Sequence, residues 1–119
     1  MSVAEWVLAF GLTLVVEVPI YLLAFRRQIG ALASLLAGIG VNVVTHPLFW
    51  LTYAAIDPQT TAGRTVTIGV AELAVWGVES ALMMLALRRH QPDLLLVVLW
   101  CAVANLASVT VGLLVALGW

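Results

Sequence analysis

The sequence predicts an all-α, membrane-embedded bundle of four helices in up-down-up-down order, and three observations point to it. Hydrophobic residues make up 64% of the 119-residue chain and charged residues 9%. The mean hydropathy is +1.14, far outside the soluble range. The apolar residues fall into four stretches, each meeting the requirement of about 20 residues for a helical span. The polar breaks between them are short, which forces antiparallel neighbours.

The first span is expected over about 6–25. It follows Glu5 rather than a basic segment, lacks a small-residue cleavage site and carries Glu17 in its middle, so a removable signal peptide is not expected. Arg26-Arg27-Gln28 ends it. The second span, about 29–56, is closed by Asp57-Pro58-Gln59 running to Gly63-Arg64; the third, about 65–87, ends in Arg88-Arg89-His90-Gln91-Pro92-Asp93; the fourth covers about 94–119. Together they read as a single transmembrane domain, residues 1–119, with no lipidation motif at either end. Cys101 is the only cysteine, so an intrachain disulfide, a CxxC motif and a cysteine-cluster metal site are all excluded. A net charge of −1 gives no basic footprint for nucleic acid, and the partner to expect is the lipid bilayer.

Four of the five arginines lie in the first and third breaks. By the positive-inside rule those loops are expected in the cytoplasm and both termini outside. Trp6, Trp50, Tyr53 and Trp119 then fall toward the outer face as an aromatic belt, with Trp100 toward the inner one. All basic side chains other than histidine are arginine, which suits a bacterial genome of high GC content, and the expected location is a bacterial cytoplasmic (inner) membrane.

An internal repeat organises the chain. Residues 16–27 laid over 78–89 at an offset of 62 agree at six of twelve positions, including Glu17 with Glu79 and Arg26-Arg27 with Arg88-Arg89. One residue of slippage then aligns Asn42-Val43-Val44-Thr45 with Asn105-Leu106-Ala107-Ser108. Each half, about 1–56 and 64–119, reads as a helical hairpin with a glutamate, an Arg-Arg turn and Asn-x-x-[Ser/Thr]. Both hairpins enter from the same side, as in a parallel repeat about an axis along the membrane normal.

Helical spacing puts one polar or small stripe on every span. Thr13, Glu17 and Tyr21 share a face of the first; Ser34, Gly38, Asn42 and His46 of the second; Gly69, Glu72, Trp76, Glu79 and Met83 of the third; Cys101, Asn105, Ser108 and Gly112 of the fourth. The stripes are expected to meet at the bundle axis, where small residues, including the Ser108-x-x-x-Gly112 pair, allow close approach. Counting at about 1.5 Å per residue puts Glu17 and Glu79 in one layer roughly 13 Å from the arginine loops. Glu72 and His46 fall in a second layer about 12 to 16 Å from the opposite boundary, with Asn42 and Asn105 between. Pro47, lacking an N–H, frees the carbonyl near Val43.

Three glutamates inside apolar spans, with no lysine or arginine to neutralise them, are costly and mark a functional site. At that depth each carries a proton or holds a cation. Glu17, Glu79, Glu72 and His46 are the candidate ion- or proton-binding residues, with Asn42, Asn105, Ser108, Thr45 and Tyr21 in support. The bland alternative is that these groups only hydrogen-bond neighbouring helices. Three classes of function follow: transport of a proton or cation; an accessory subunit gripping partner helices or a cofactor; and an intramembrane metal-dependent enzyme using His46 and Glu72. The last has one membrane histidine and no HExxH-like spacing, so an enzyme is the least favoured and no catalytic residue is assigned. No cofactor is specified, and a homodimer or larger membrane complex is compatible with the chain.

Two resemblances follow from these residues. The size, the four spans and the mid-span Glu17 resemble the small multidrug resistance transporters, in which a first-helix glutamate exchanges protons for cationic drugs in a dimer. Only Glu17 carries over; Glu72, Glu79, His46-Pro47 and the repeated Arg-Arg lie outside that pattern. Asn42-Val43-Val44-Thr45-His46-Pro47, the third-span glutamates and Asn105-Leu106-Ala107-Ser108 before Gly112 resemble a loose group of small four-helix bacterial membrane proteins. That resemblance covers most of the chain and implies the fold, without an activity.

Overall fold

The computed structural model describes residues 2–56 and 59–118. Four helices, α1 (Val3–Ile29), α2 (Ala31–Ile56), α3 (Thr61–Leu87) and α4 (Leu94–Ala116), follow one another, with a 3-10 turn at Arg88–His90 after α3. Each is long and apolar enough to cross a membrane. The bundle measures 45 × 24 × 21 Å, and its long dimension matches a bilayer with its headgroups. Packing runs α1 on α2, α2 on α3, α3 on α4 and α4 back on α1, so the helices form a closed ring. The α3–α4 seam is the loosest of the four.

Helix ends depart from the hydropathy boundaries because hydrogen bonding, not polarity, ends a helix. Expected from residue 6, α1 begins at Val3, where Ser2 and Glu5 form a capping box: Glu5 N–H donates to Ser2 Oγ at 3.2 Å and Ser2 N–H to Glu5 Oε2 at 2.6 Å. Arg26-Arg27-Gln28 was expected as a break and is helical, with both arginines in the last turn where the helix dipole favours cations. The turn is a single residue, Gly30, at φ 87° and ψ 163°, a region essentially closed to side chains. Expected from residue 65, α3 starts at Thr61, because Thr60 Oγ1 accepts from Gly63 N–H at 2.9 Å. Asp93 caps α4 by accepting from Leu95 N–H at 2.9 Å. Asp57-Pro58 of the second break and Trp119 of the expected belt lie outside the described residues.

Both prolines inside helices, Pro19 and Pro47, are passed without a break. Leucines and valines point outward, Leu36, Leu51, Leu73 and Leu106 among them, as lipid-facing residues do. The buried apolar core sits toward the arginine end, where Tyr21, Phe25, Met83, Leu87, Val97 and Cys101 are each 2% exposed or less. Gly38 makes a true close approach, since a Cβ there would lie 3.3 Å from Tyr21 Cδ2. Gly112 does not: a Cβ at that position would meet nothing within 4 Å, and the same holds for Gly69. The Ser108-x-x-x-Gly112 spacing therefore opens space instead of closing a helix contact.

At the other end of the bundle, aromatic rings link α1 and α2. Trp6 and Phe10 lie 5.2 Å and 5.1 Å from the His46 ring, and Trp50 and Tyr53 continue the cluster. Gly30→Ala should cost about 1–3 kcal/mol through its backbone conformation. Gly40→Ala, in an open helical position, should be neutral or stabilising by up to about 1 kcal/mol. Thermal unfolding of the two variants in detergent checks the contrast.

Candidate functional site

Glu79 of α3 is 1% exposed and is met by each of the other helices. The Tyr21 hydroxyl of α1 donates to its Oε2, Asn105 Nδ2 of α4 donates to the same oxygen at 2.7 Å, and Thr45 Oγ1 of α2 lies 2.8 Å from Oε1. Glu17 of α1 is as deeply buried and far less well served. Ser108 Oγ of α4 lies 2.6 Å from its Oε1, and Oε2 has no hydrogen-bond partner among the described residues. A buried acceptor left unpaired is costly, and in native proteins it is the exception that demands an explanation.

The bonds come in matched pairs. Asn42 Nδ2 donates to the Gly38 carbonyl at 3.0 Å, and Asn105 Nδ2 to the Cys101 carbonyl at 2.8 Å. The hydroxyl three residues after each asparagine contacts a glutamate on another helix: Thr45 reaches Glu79, and Ser108 reaches Glu17.

Hydrogen counting bears on the carboxyls. Thr45 Oγ1 also lies 2.8 Å from the Val41 carbonyl oxygen, and Ser108 Oγ 3.0 Å from that of Asn105. Each hydroxyl has one hydrogen to give. That hydrogen is shared between the backbone carbonyl and the carboxyl oxygen, Glu79 Oε1 for Thr45 and Glu17 Oε1 for Ser108.

Glu17, Glu72, Glu79, Asn42, Asn105, Thr45, His46, Ser108 and Thr13 line one internal cavity of about 40 Å³, completed by Phe49 and Val75. The space suits a few particles the size of water. All the candidate residues thus come together except Tyr21, which lies outside the cavity and touches it through Glu79. The two expected layers merge into one chamber. Thr13, Phe49 and Val75 are additions to the expected set: Thr13 shares the Glu17 stripe, and nothing in an apolar residue's identity marks it as a cavity wall.

His46 is oriented by aromatics. Its Nε2 accepts from Trp50 Nε1–H at 3.1 Å, which leaves the hydrogen on Nδ1 and no ring lone pair free for a metal ion. No three of His, Cys, Asp and Glu converge as a metal-holding group among the described residues.

Two larger openings adjoin the chamber. A crevice of about 360 Å³ at the end of the bundle carrying the termini shares Thr13, His46, Phe49, Glu72 and Ser108 with it and continues past Gly112 to Ala116. A groove of about 450 Å³ in the α3–α4 seam shares Glu72 and Asn105 and is otherwise walled mainly by apolar side chains such as Leu73, Trp76 and Leu106. Trp76 Nε1–H donates to the Val98 carbonyl at 2.9 Å and so ties the two helices beside that groove. Glu72, half-buried, makes no hydrogen bond among the described residues and lines chamber, crevice and groove alike.

Comparison with protein-family models, with curated proteins and with solved structures finds no match to this chain. The resemblances drawn from the sequence rest on their motifs alone. Tyr21→Phe and Thr45→Val should each lower stability by about 0.6–1.7 kcal/mol, the range for hydrogen bonds between membrane helices. Unfolding in mixed micelles against a denaturing detergent measures the loss, and no change in either variant would contradict the bonding scheme.

Proposed function

We propose that the protein binds a proton or a small cation in the carboxyl-lined chamber and moves it across the membrane. The observation that carries this reading is the chamber's chemistry. Three glutamates and two asparagines line one small space, no arginine or lysine is among its lining residues, and a buried carboxyl oxygen of Glu17 is unpaired among the described residues. Such a space attracts positive charge.

The two-halves reading of the chain fits this arrangement, since a hydroxyl of each half serves the glutamate of the other. At the same offset Tyr21 corresponds to Met83, which has no O–H to give. That difference accounts for a donor at Glu79 with no counterpart at Glu17. The four arginines at the α1 and α3 ends support a cytoplasmic assignment for that end, in a bacterial inner membrane, with both termini outside. The crevice then faces outward.

A second reading, an accessory subunit of a larger membrane complex, is favoured by the apolar α3–α4 groove, which has the character of a seat for a partner helix. Flux separates the two. In proteoliposomes, the Glu17→Gln/Glu79→Gln double variant should abolish proton or cation flux seen with the wild-type chain. Flux that the double variant leaves unchanged, or a wild-type chain that moves nothing alone, would remove the transport reading.

A further inference from the structure

The three chamber glutamates are satisfied to different degrees. Both oxygens of Glu79 are engaged, by Tyr21, Asn105 and Thr45. Glu17 has one oxygen engaged and one without a partner at 2% exposure, while Glu72 has neither engaged. The sequence repeat pairs Glu17 with Glu79; unmet bonding capacity pairs Glu17 with Glu72.

We infer that Glu17 and Glu72, together with the Ser108 hydroxyl, form a site for a small monovalent metal cation of the sodium class, reached through the crevice at the terminal end. This rests on reading the chamber as an ion site. Their donor atoms are all oxygens, the ligands hard cations take. A volume of about 40 Å³ is too small to enclose an organic cation such as choline between the two carboxyls. The Born cost of stripping water from an ion rises with the square of its charge, which disfavours a divalent ion at this depth. One ionised carboxylate of the pair balances a single positive charge, and Glu79, Tyr21 and His46 are the other titratable groups around it. Toward the arginine end Phe25, Met83, Leu87 and Val97 are each 2% exposed or less and fill the axis among the described residues. Glu72 borders both chamber and crevice, so an ion passes it on the way to Glu17.

Tryptophan emission provides the test, since Trp50 bonds His46 on the chamber wall and Trp6 packs on the same ring. The purified full chain in lipid nanodiscs is titrated with sodium chloride against choline chloride at constant ionic strength. A saturable change with sodium and none with choline is expected. Glu17→Gln and Glu72→Gln should each weaken the apparent sodium affinity at least tenfold, while Glu5→Gln, exposed and remote from the chamber, stays within threefold of wild type. Should Glu17→Gln fail to fold, Glu72→Gln decides alone, its side chain being half-buried and without a hydrogen bond among the described residues; gel filtration and circular dichroism confirm its fold. No sodium response in wild type, a response to calcium in place of sodium, or a Glu72→Gln affinity within threefold of wild type would overturn the inference. Proton flux abolished in the Glu17→Gln/Glu79→Gln variant, with no sodium response, would overturn it too and leave the proposed function standing.

Discussion

A carboxyl group buried where four helices meet must be satisfied by protein, because lipid offers it no donor. Glu79 is in that position, and its partners Tyr21, Thr45 and Asn105 come one from each other helix. Lipid tails are as apolar as leucine, so apolar helix faces gain little from meeting each other in a bilayer. Polar contacts of this kind specify register where burial alone does not. Shifting any helix by one residue would turn its contribution by about 100° and break the bond. The rest of the architecture is arranged around that fixed point.

Below Glu79, toward the arginine turns, the bundle is filled. Tyr21 packs against Gly38 closely enough that a Cβ there would press on its ring, and Phe25, Leu87 and Val97 occupy the space beyond. Above it the axis is lined by shorter polar side chains, and Gly112 adds nothing to the wall. The chamber therefore has a closed floor and an open side. Its opening at the terminal end is bordered by the aromatic cluster that holds His46, and the weak α3–α4 seam supplies a lateral groove.

Chemistry follows from uneven satisfaction. Two glutamates at matching sequence positions, equally buried, differ because one is met by a tyrosine and the other is not. Asn42 and Asn105 each donate to a carbonyl of their own helix, and Asn105 donates to Glu79 as well. Glu17 Oε2 and the Glu72 carboxyl have no donor among the described residues, and unmet acceptors favour positive charge. A purely structural polar network would close on itself, as it does around Glu79 and fails to do around Glu17 and Glu72.

Hydropathy and spacing alone determined the four apolar helices, their antiparallel order and the polar stripe on each, because periodicity and length are local properties of a chain. They also singled out the polar residues of the chamber other than Thr13, since an ionisable group in an apolar run stands out by its cost. Helix ends were less readable: the Ser2-x-x-Glu5 box was present as a pattern, yet the apolar boundary masked it, and Arg26-Arg27 looked like a break while remaining helical. Only the tertiary structure decided which glutamate is bonded and which is exposed to the chamber, that Gly112 opens space where Gly38 closes it, and that His46 gives its lone pair to Trp50. Those outcomes depend on distances between helices of a few tenths of an ångström, set by packing across the whole bundle, and no single stretch of sequence contains them.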